Sequence, residues 1–130
     1  MYVEADLLYA YLKPKDWLKE YSIKILNRFN VATSVITVTE IELVSKRDFG
    51  NEFSNLALEK LGEINNLKFV DLNIEIIKKS VEFRKEYNIN IFDALHAATA
   101  FKLKKRMIST DRIFDIIKEV KRIDPRSLSI

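Results

Sequence analysis

Five acids in this chain sit where an acid is hard to explain. Glu4 and Asp6 lie in MYVEADLLYAYL, an apolar opening segment. Glu40 lies in TSVITVTEIEL, Asp93 between Ile91-Phe92 and Ala94-Leu95, and Asp111 directly after MIST. An ionised carboxylate among apolar residues is destabilising unless a donor or a cation answers it. Helix capping accounts for Asp6 and Asp111 taken singly, because Asp is a favoured N-cap and suits a helix N-terminus. Glu is not a favoured cap, so Glu4 and Glu40 need another reason, and the apolar flanks of Asp93 predict burial. Acids that meet in one place raise one another's pKa, and such a cluster is unstable without a cation. Oxygen-only ligands suit Mg²⁺ or Mn²⁺ rather than Zn²⁺. One or two such ions can polarise a phosphodiester, lower the pKa of bound water and stabilise a leaving oxygen. Glu4, Asp6, Asp93 and Asp111 are the expected metal ligands. Acids such as Glu59, Glu63, Glu82 and Glu86, set among lysines on helix faces, need no reason beyond solubility.

Whether the acids meet depends on the elements that carry them. Tyr2 and Val3 read as the end of a short strand, with Asp6 capping a helix through LLYAYL that Pro14 stops. Asp16 is expected to cap DWLKEYSIKILNRF, where Trp17, Leu18, Tyr21, Ile25, Leu26 and Phe29 recur at helical spacing. NVATSVI, rich in β-branched residues, predicts a second strand, followed by the helix VTEIELVSKRDF. Residues 51–66 read as an amphipathic helix and LKFVDL as the third strand. Asn73 caps IEIIKKSVEFRKEY, which ends near Asn88. FDALHAATAFKL is a helix with a face of small residues, RMIST a fourth strand, DRIFDIIKEV a short helix and KRID a fifth strand. Flexibility is expected only around Asp48–Glu52. The alternation predicts an α/β domain with a mostly parallel sheet of about five short strands. In such a sheet the C-terminal strand ends share one edge, and sites form there at a switch point in strand order. Acids that follow separate strands are therefore expected to converge.

Composition narrows the field. The 130 residues predict a single domain spanning 1–130. With 48% hydrophobic and 32% charged residues, a disordered chain is excluded. The absence of Cys excludes a disulfide framework and a thiolate metal site and fits a reducing compartment. Two glycines, Gly50 and Gly62, leave no P-loop and no dinucleotide fingerprint, which removes most nucleotide-dependent enzymes. No signal peptide is read ahead of the first strand, and no apolar run approaches the roughly 18 residues of a membrane span. The expected location is cytoplasmic, with no membrane partner. Net charge is only +3. Basic residues cluster at KLKKR (Lys102–Arg106) and KEVKRIDPR (Lys118–Arg126), runs that suit a polyanion, although each alone reads as a solvated helix end or loop.

Four stretches together resemble a PIN domain over nearly the whole chain. YVEADLLYAYL resembles the family's opening strand and helix, and TSVITVTEI its second motif, with Ser34 followed six positions on by Glu40. FDALHAATA is the nearest match and supplies Asp93. MISTDRIF resembles the closing strand, acid and aromatic, giving Asp111 and Phe114. The resemblance implies a parallel sheet with helices on both faces, a three-layer α/β/α arrangement. It also implies a metal-dependent ribonuclease with Glu4, Glu40, Asp93 and Asp111 as the acidic, catalytic set. Ser34 and Thr110 would add hydroxyl hydrogen bonds at its edge. Many small members are VapC-type toxins, so RNA, an antitoxin protein and a second copy in a homodimer are the implied partners. The chain departs from the family's usual pattern at Glu4, normally Asp, and at Asp6, normally Asn.

Other residues are weighed beside these. Lys13 and Lys15 are expected at the rim of the site, and with Arg112 they would position phosphates. His96, the only His, is read as a hydrogen-bonded structural residue rather than a phosphate contact, since nothing forms a triad with it. Asp115 reads equally as a water-mediated metal contact or a solvated helix position. Glu42 falls about 200° around the helix from Glu40 and reads as surface. Tyr9, Tyr11, Trp17 and Phe49 could stack bases but read as core. The leading function is a metal-dependent endoribonuclease. The alternative is a weak or inactive module of the same fold that binds RNA or protein. A phospho-receiver is disfavoured because no apolar strand ends in a clear Lys.

Overall fold

Strand β1 (Tyr2–Val3) is only two residues long, yet it sits at the centre of the sheet. Its two side chains point to opposite faces, as the pleat requires, so Val3 joins one apolar core and Tyr2 another. The computed structural model describes residues 1–130. After β1 come α1 (Ala5–Leu12), α2 (Lys19–Arg28), β2 (Val31–Ser34), α3 (Val35–Phe49) and α4 (Asn51–Gly62). Then follow β3 (Leu67–Val70), α5 (Ile74–Tyr87), α6 (Ile91–Lys102), β4 (Met107–Ile108), a 3-10 turn (Arg112–Ile116) and β5 (Arg122–Ile123). The strand order is β3-β2-β1-β4-β5. Every pairing is parallel, with Tyr2 opposite both Ala32 and Met107.

Helices cover both faces, giving the expected three layers. On one face Leu7 and Leu8 of α1, Ile25 of α2, Ile41 of α3 and Leu61 of α4 pack with Val3 and Ile108. On the other, Phe83 of α5 and Ala94, Ala97 and Ala98 of α6 pack with Tyr2 and Met107. The alanines of α6 keep its backbone close to the sheet, which matters because Asp93 and His96 ride on this helix. No helix is long and apolar enough to cross a membrane.

Several boundaries differ from the sequence reading, each for a local reason. Glu4, not Asp6, caps α1: its carboxylate accepts the Asp6 N–H. NVATSVI stops being a strand at Ser34, because the Ser34 hydroxyl accepts the Ile36 N–H and starts α3 at once. Asp16 accepts the Leu18 N–H in the turn before α2, which begins only at Lys19. Trp17 is therefore exposed, under the Arg126 guanidinium at 5.2 Å. The helix read over 51–66 ends at Gly62, and RMIST contributes only Met107–Ile108 as strand. DRIFDIIKEV forms a 3-10 turn that reaches Ile116. Residues 48–52 form a corner where α3 and α4 abut at Gly50, whose φ of 91° favours glycine.

Candidate active site

The chain starts at the centre of the sheet, steps outward through β2 to β3, and returns to lay β4 on the other side of β1. The C-terminal ends of β1 and β4 therefore flank the switch point, where a parallel sheet opens a crevice. Glu4 leaves β1 there, and Ser109, Thr110 and Asp111 leave β4 beside it.

Hydrogen bonds lock these two exits together. Ser109 donates its hydroxyl to Glu4 Oε2 at 3.1 Å and accepts the Asp111 N–H at 3.0 Å. Asp6 Oδ2 accepts both the N–H and the hydroxyl of Thr110, at 3.1 and 2.8 Å, while its Oδ1 takes the Leu7 N–H. Arg122 braces the same exit from β5: Nη1 donates to the Ser109 carbonyl at 2.9 Å. The guanidinium also pairs with Asp115, which fixes that acid in a surface ion pair.

The remaining acids arrive on helix N-terminal halves. Asp93 lies in the first turn of α6, where Asn90 caps the helix. Asn90 accepts the Asp93 N–H at 2.9 Å and donates its amide to Asp93 Oδ2 at 2.7 Å. The apolar flanks do not bury it: Ile91 and Phe92 are 50% and 40% exposed, and Asp93 itself is half-buried. Glu40, on α3, receives His96 Nε2 on Oε1 at 2.5 Å. Asp111 caps the 3-10 turn through the Ile113 N–H. Asp93, Asp111 and Glu40 each keep one carboxylate oxygen without a protein donor.

The charges of Asp6, Glu40 and Asp111 act on Glu4, Asp6 and Asp93. Burial, then the Asp6 charge, pushes Glu4 up to about 8, with Glu40 adding to it against the Asp6 N–H and the Ser109 hydroxyl. Burial raises Asp6 as well, opposed by Thr110 and Leu7 and assisted by Asp111. Asp93 is raised by burial first and then by Asp111, with Glu40 contributing; His96 and Asn90 pull it back. Acids from residues 4, 6, 40, 93 and 111 thus share one field at one sheet edge.

The other expected site residues divide. Arg112 is exposed beside Asp111 at this edge. Thr110 spends its hydroxyl on Asp6, and Ser34, fully buried at the end of β2, spends its own on capping α3. Lys13 and Lys15 are not brought to the acids. They follow the far end of α1, about 13 Å along the helix from Glu4, and Lys13 is tied to Asp16 and lies over the Tyr9 ring. The run Lys102–Arg106 also lies at the opposite edge, between the end of α6 and the start of β4. Ser109, Asn90 and Arg122 were not singled out from the sequence. Ser109 stands two residues before Asp111 and Asn90 three before Asp93, spacings at which short polar side chains bond to following N–H groups.

The donor chemistry of the edge fits a hard divalent cation: it offers oxygens only, and the one imidazole nearby has both nitrogens engaged. As placed, no three of the His, Asp and Glu side chains enclose a common point as metal ligands would. The largest surface hollow, about 460 Å³ and lined by Tyr11, Lys19, Ile23, Asn27, Lys60 and Glu63, contains none of these acids. Asp111 and Arg112 are exposed at this edge, while Glu4 and Asp6 are partly buried behind them.

A parallel α/β sheet with a carboxylate cluster at its switch point defines the class of protein. The family model for the PIN domain matches residues 1–120, and the chain belongs to that family. Solved structures of the same fold include the DNA-bound VapBC of Salmonella typhimurium (TM-score 0.79, 17% identity, 95% of this chain and 96% of that one). Another is VapC20 of Mycobacterium tuberculosis, described as a sarcin–ricin loop cleaving toxin (TM-score 0.77, 14% identity, 90% and 94%). FitAcB of Neisseria gonorrhoeae also shares the fold (TM-score 0.72, 19% identity, 98% and 99%). Comparison with curated proteins finds no match.

Proposed function

We propose that this protein is a metal-dependent endoribonuclease that hydrolyses RNA phosphodiester bonds, acting as the toxin of a VapC-type pair. One observation carries the reading: acids from five separate positions gather at one sheet edge, where burial and the charges of Asp6, Glu40 and Asp111 hold Glu4, Asp6 and Asp93 above the ordinary carboxylate range. Such a cluster is relieved when a divalent cation replaces the retained protons. Glu4, Asp93 and Asp111 would hold Mg²⁺ or Mn²⁺, with Asp6 beside them fixing the Thr110 turn. When bound, the ion supplies Lewis acidity toward the phosphodiester and lowers the pKa of water. Glu40 keeps one oxygen free to take the proton of the attacking water. Oxygen from that water bonds to phosphorus, the P–O3′ bond breaks, and the departing 3′ oxygen takes a proton from solvent water to leave as a hydroxyl. Arg112, exposed beside Asp111, meets a backbone phosphate, a contact that positions without reading sequence.

Membership of the PIN family and a fold shared with proteins described as toxin–antitoxin complexes support an antitoxin partner. Exposed Ile74, Ile77, Ile91 and Phe92, at the starts of α5 and α6, offer apolar surface that a second copy in a homodimer would cover. The proposed setting is the cytoplasm. The test is cleavage of structured and single-stranded RNA with Mg²⁺ or Mn²⁺, with EDTA, and by Asp93→Asn. Wild-type cleavage that EDTA and the variant both abolish is expected. Cleavage that survives EDTA sinks the reading, and RNA binding without any cleavage makes the protein a binding module.

A further inference from the structure

His96 is the only imidazole in the chain, and it is 2% exposed on α6, one turn beyond Asp93. Nε2 meets Glu40 Oε1 at 2.5 Å, and Nδ1 meets the Tyr2 hydroxyl at 2.6 Å. A carboxylate accepts, so the proton of the first contact belongs to Nε2. In the neutral ring Nδ1 is then a lone pair, which the Tyr2 O–H fills. Burial keeps that phenol protonated by pushing it above its ordinary range. The three residues come from β1, α6 and α3, and they run from the core outward: Tyr2 is fully buried, while the Glu40 side chain is 23% exposed.

Stability alone gives little reason for this arrangement. A polar pair set among Ala94, Ala97, Met107 and Phe114 gains no more than apolar residues of similar volume would. Glu40 is exposed enough to be hydrated without help. What the contact delivers is orientation, because one Glu40 oxygen is held and the other has no protein donor, while Glu4 and Asp93 both feel the charge of this carboxylate.

We propose that His96 is a positioning residue whose Nε2–H fixes one oxygen of Glu40 and so aims the other at the attacking water, with Tyr2 setting the imidazole tautomer. This rests on the nuclease reading of the acid edge. Outer partners that orient such carboxylates are typically worth about 10–100-fold in activity or metal affinity.

The test combines ¹⁵N NMR of the His96 ring in the metal-free full chain with Mn²⁺-dependent RNA cleavage by His96→Leu, His96→Gln, Glu40→Gln and the Leu/Gln double variant. NMR should show a protonated Nε2 and a bare Nδ1. His96→Leu should lower kcat by about 10–100-fold with KM for RNA unchanged. His96→Gln, which keeps an N–H near the Nε2 position, should recover part of the loss. The double variant should be no worse than Glu40→Gln, because coupled residues are not additive. If His96→Leu does not fold, Tyr2→Phe in the same cycle with Glu40→Gln replaces it. A protonated Nδ1, or additive losses in an active protein, overturns this inference alone. A wild type inert toward both Mn²⁺ and RNA overturns the nuclease reading and this inference with it.

Discussion

Asp6 and Thr110, 104 residues apart in the chain, are joined by two hydrogen bonds to one carboxylate oxygen. This contact closes the β4 exit onto the start of α1 and fixes where Asp111 emerges. It also places a charge beside Glu4. The two consequences of Asp6 have opposite signs, and two substitutions separate them. Asp6→Ala loses both Thr110 bonds and the Leu7 bond; it should cost about 1–3 kcal/mol of folding stability in urea titrations. Asp6→Asn keeps one oxygen for the two Thr110 donors and removes the charge but turns an amide N–H toward the Leu7 N–H, so it should cost less than Asp6→Ala at pH 7. Equal destabilisation by both would mean that repulsion within the cluster is negligible.

Burial and the Asp6 charge push Glu4 up to about 8 from an ordinary 4.5, and Asp6 and Asp93 shift in the same direction. The unfolded chain releases the Glu4 proton near 4.5, and the folded protein does so only near 8. Between these values the unfolded state binds fewer protons, so stability falls as pH rises. Melting temperature in EDTA should therefore drop from about pH 5 to pH 8, a window that follows from the linkage. Glu4→Gln should flatten that slope, and millimolar Mn²⁺ should reverse it at the alkaline end by binding only the folded protein. A melting temperature that climbs over the same range in EDTA contradicts the buried-acid account.

Much of this architecture could be read from residue patterns, and the parts that could not have physical causes. Strand–helix alternation was enough to place Glu4 and Asp111 on one sheet edge, since a parallel sheet puts all such strand ends there, although it did not show that β1 and β4 are neighbours. Element starts were harder. Ser34 and Asn90 each use a side-chain oxygen to begin a helix, and that choice overrides the β-branched run Val35-Ile36 in one case. Glu4 was set aside as a cap because longer acids are poor caps in general, yet its reach lets it take the Asp6 N–H and the Ser109 hydroxyl together. Lys13 and Lys15, expected at the rim as part of the loop before Trp17, fall away from the acids because α1 carries that loop to its far end. The Tyr2–His96–Glu40 contact joins three elements and leaves no local trace in spacing.

Asn90 performs two tasks with one amide: its oxygen caps α6 and its nitrogen holds Asp93 Oδ2. Asn90→Ala should cost about 1 kcal/mol of stability as a lost cap. It should also weaken Mn²⁺ binding, because Asp93 loses the donor that holds its carboxylate in place. Asn90→Asp separates the two effects, since it retains a capping oxygen but puts a charge where the amide N–H was. Calorimetric titration should show Asn90→Asp folding about as well as wild type while binding Mn²⁺ differently. Unchanged Mn²⁺ affinity in both variants would leave Asn90 as a cap and nothing more.

Glu4 is where this chain departs from the usual Asp of its family, and the structure gives that departure a use. The Glu4 carboxylate accepts the Ser109 hydroxyl, which in turn takes the Asp111 N–H, so Glu4 and Asp111 belong to one hydrogen-bond network. Glu4→Asp shortens the arm. It should cap α1 at least as well, because Asp is the better N-cap, but it should lose the Ser109 contact. Ser109→Ala removes that contact from the other side together with the Asp111 N–H bond, and should cost about 1–3 kcal/mol. If the reach of Glu4 matters for chemistry, Glu4→Asp and Ser109→Ala should each lower Mn²⁺-dependent RNA cleavage by a similar factor, and combining them should add little. Glu4→Gln, which keeps the reach and removes the charge, should abolish cleavage. Full activity in Glu4→Gln would remove Glu4 from the metal-holding set and leave Asp93 and Asp111 to carry the ion.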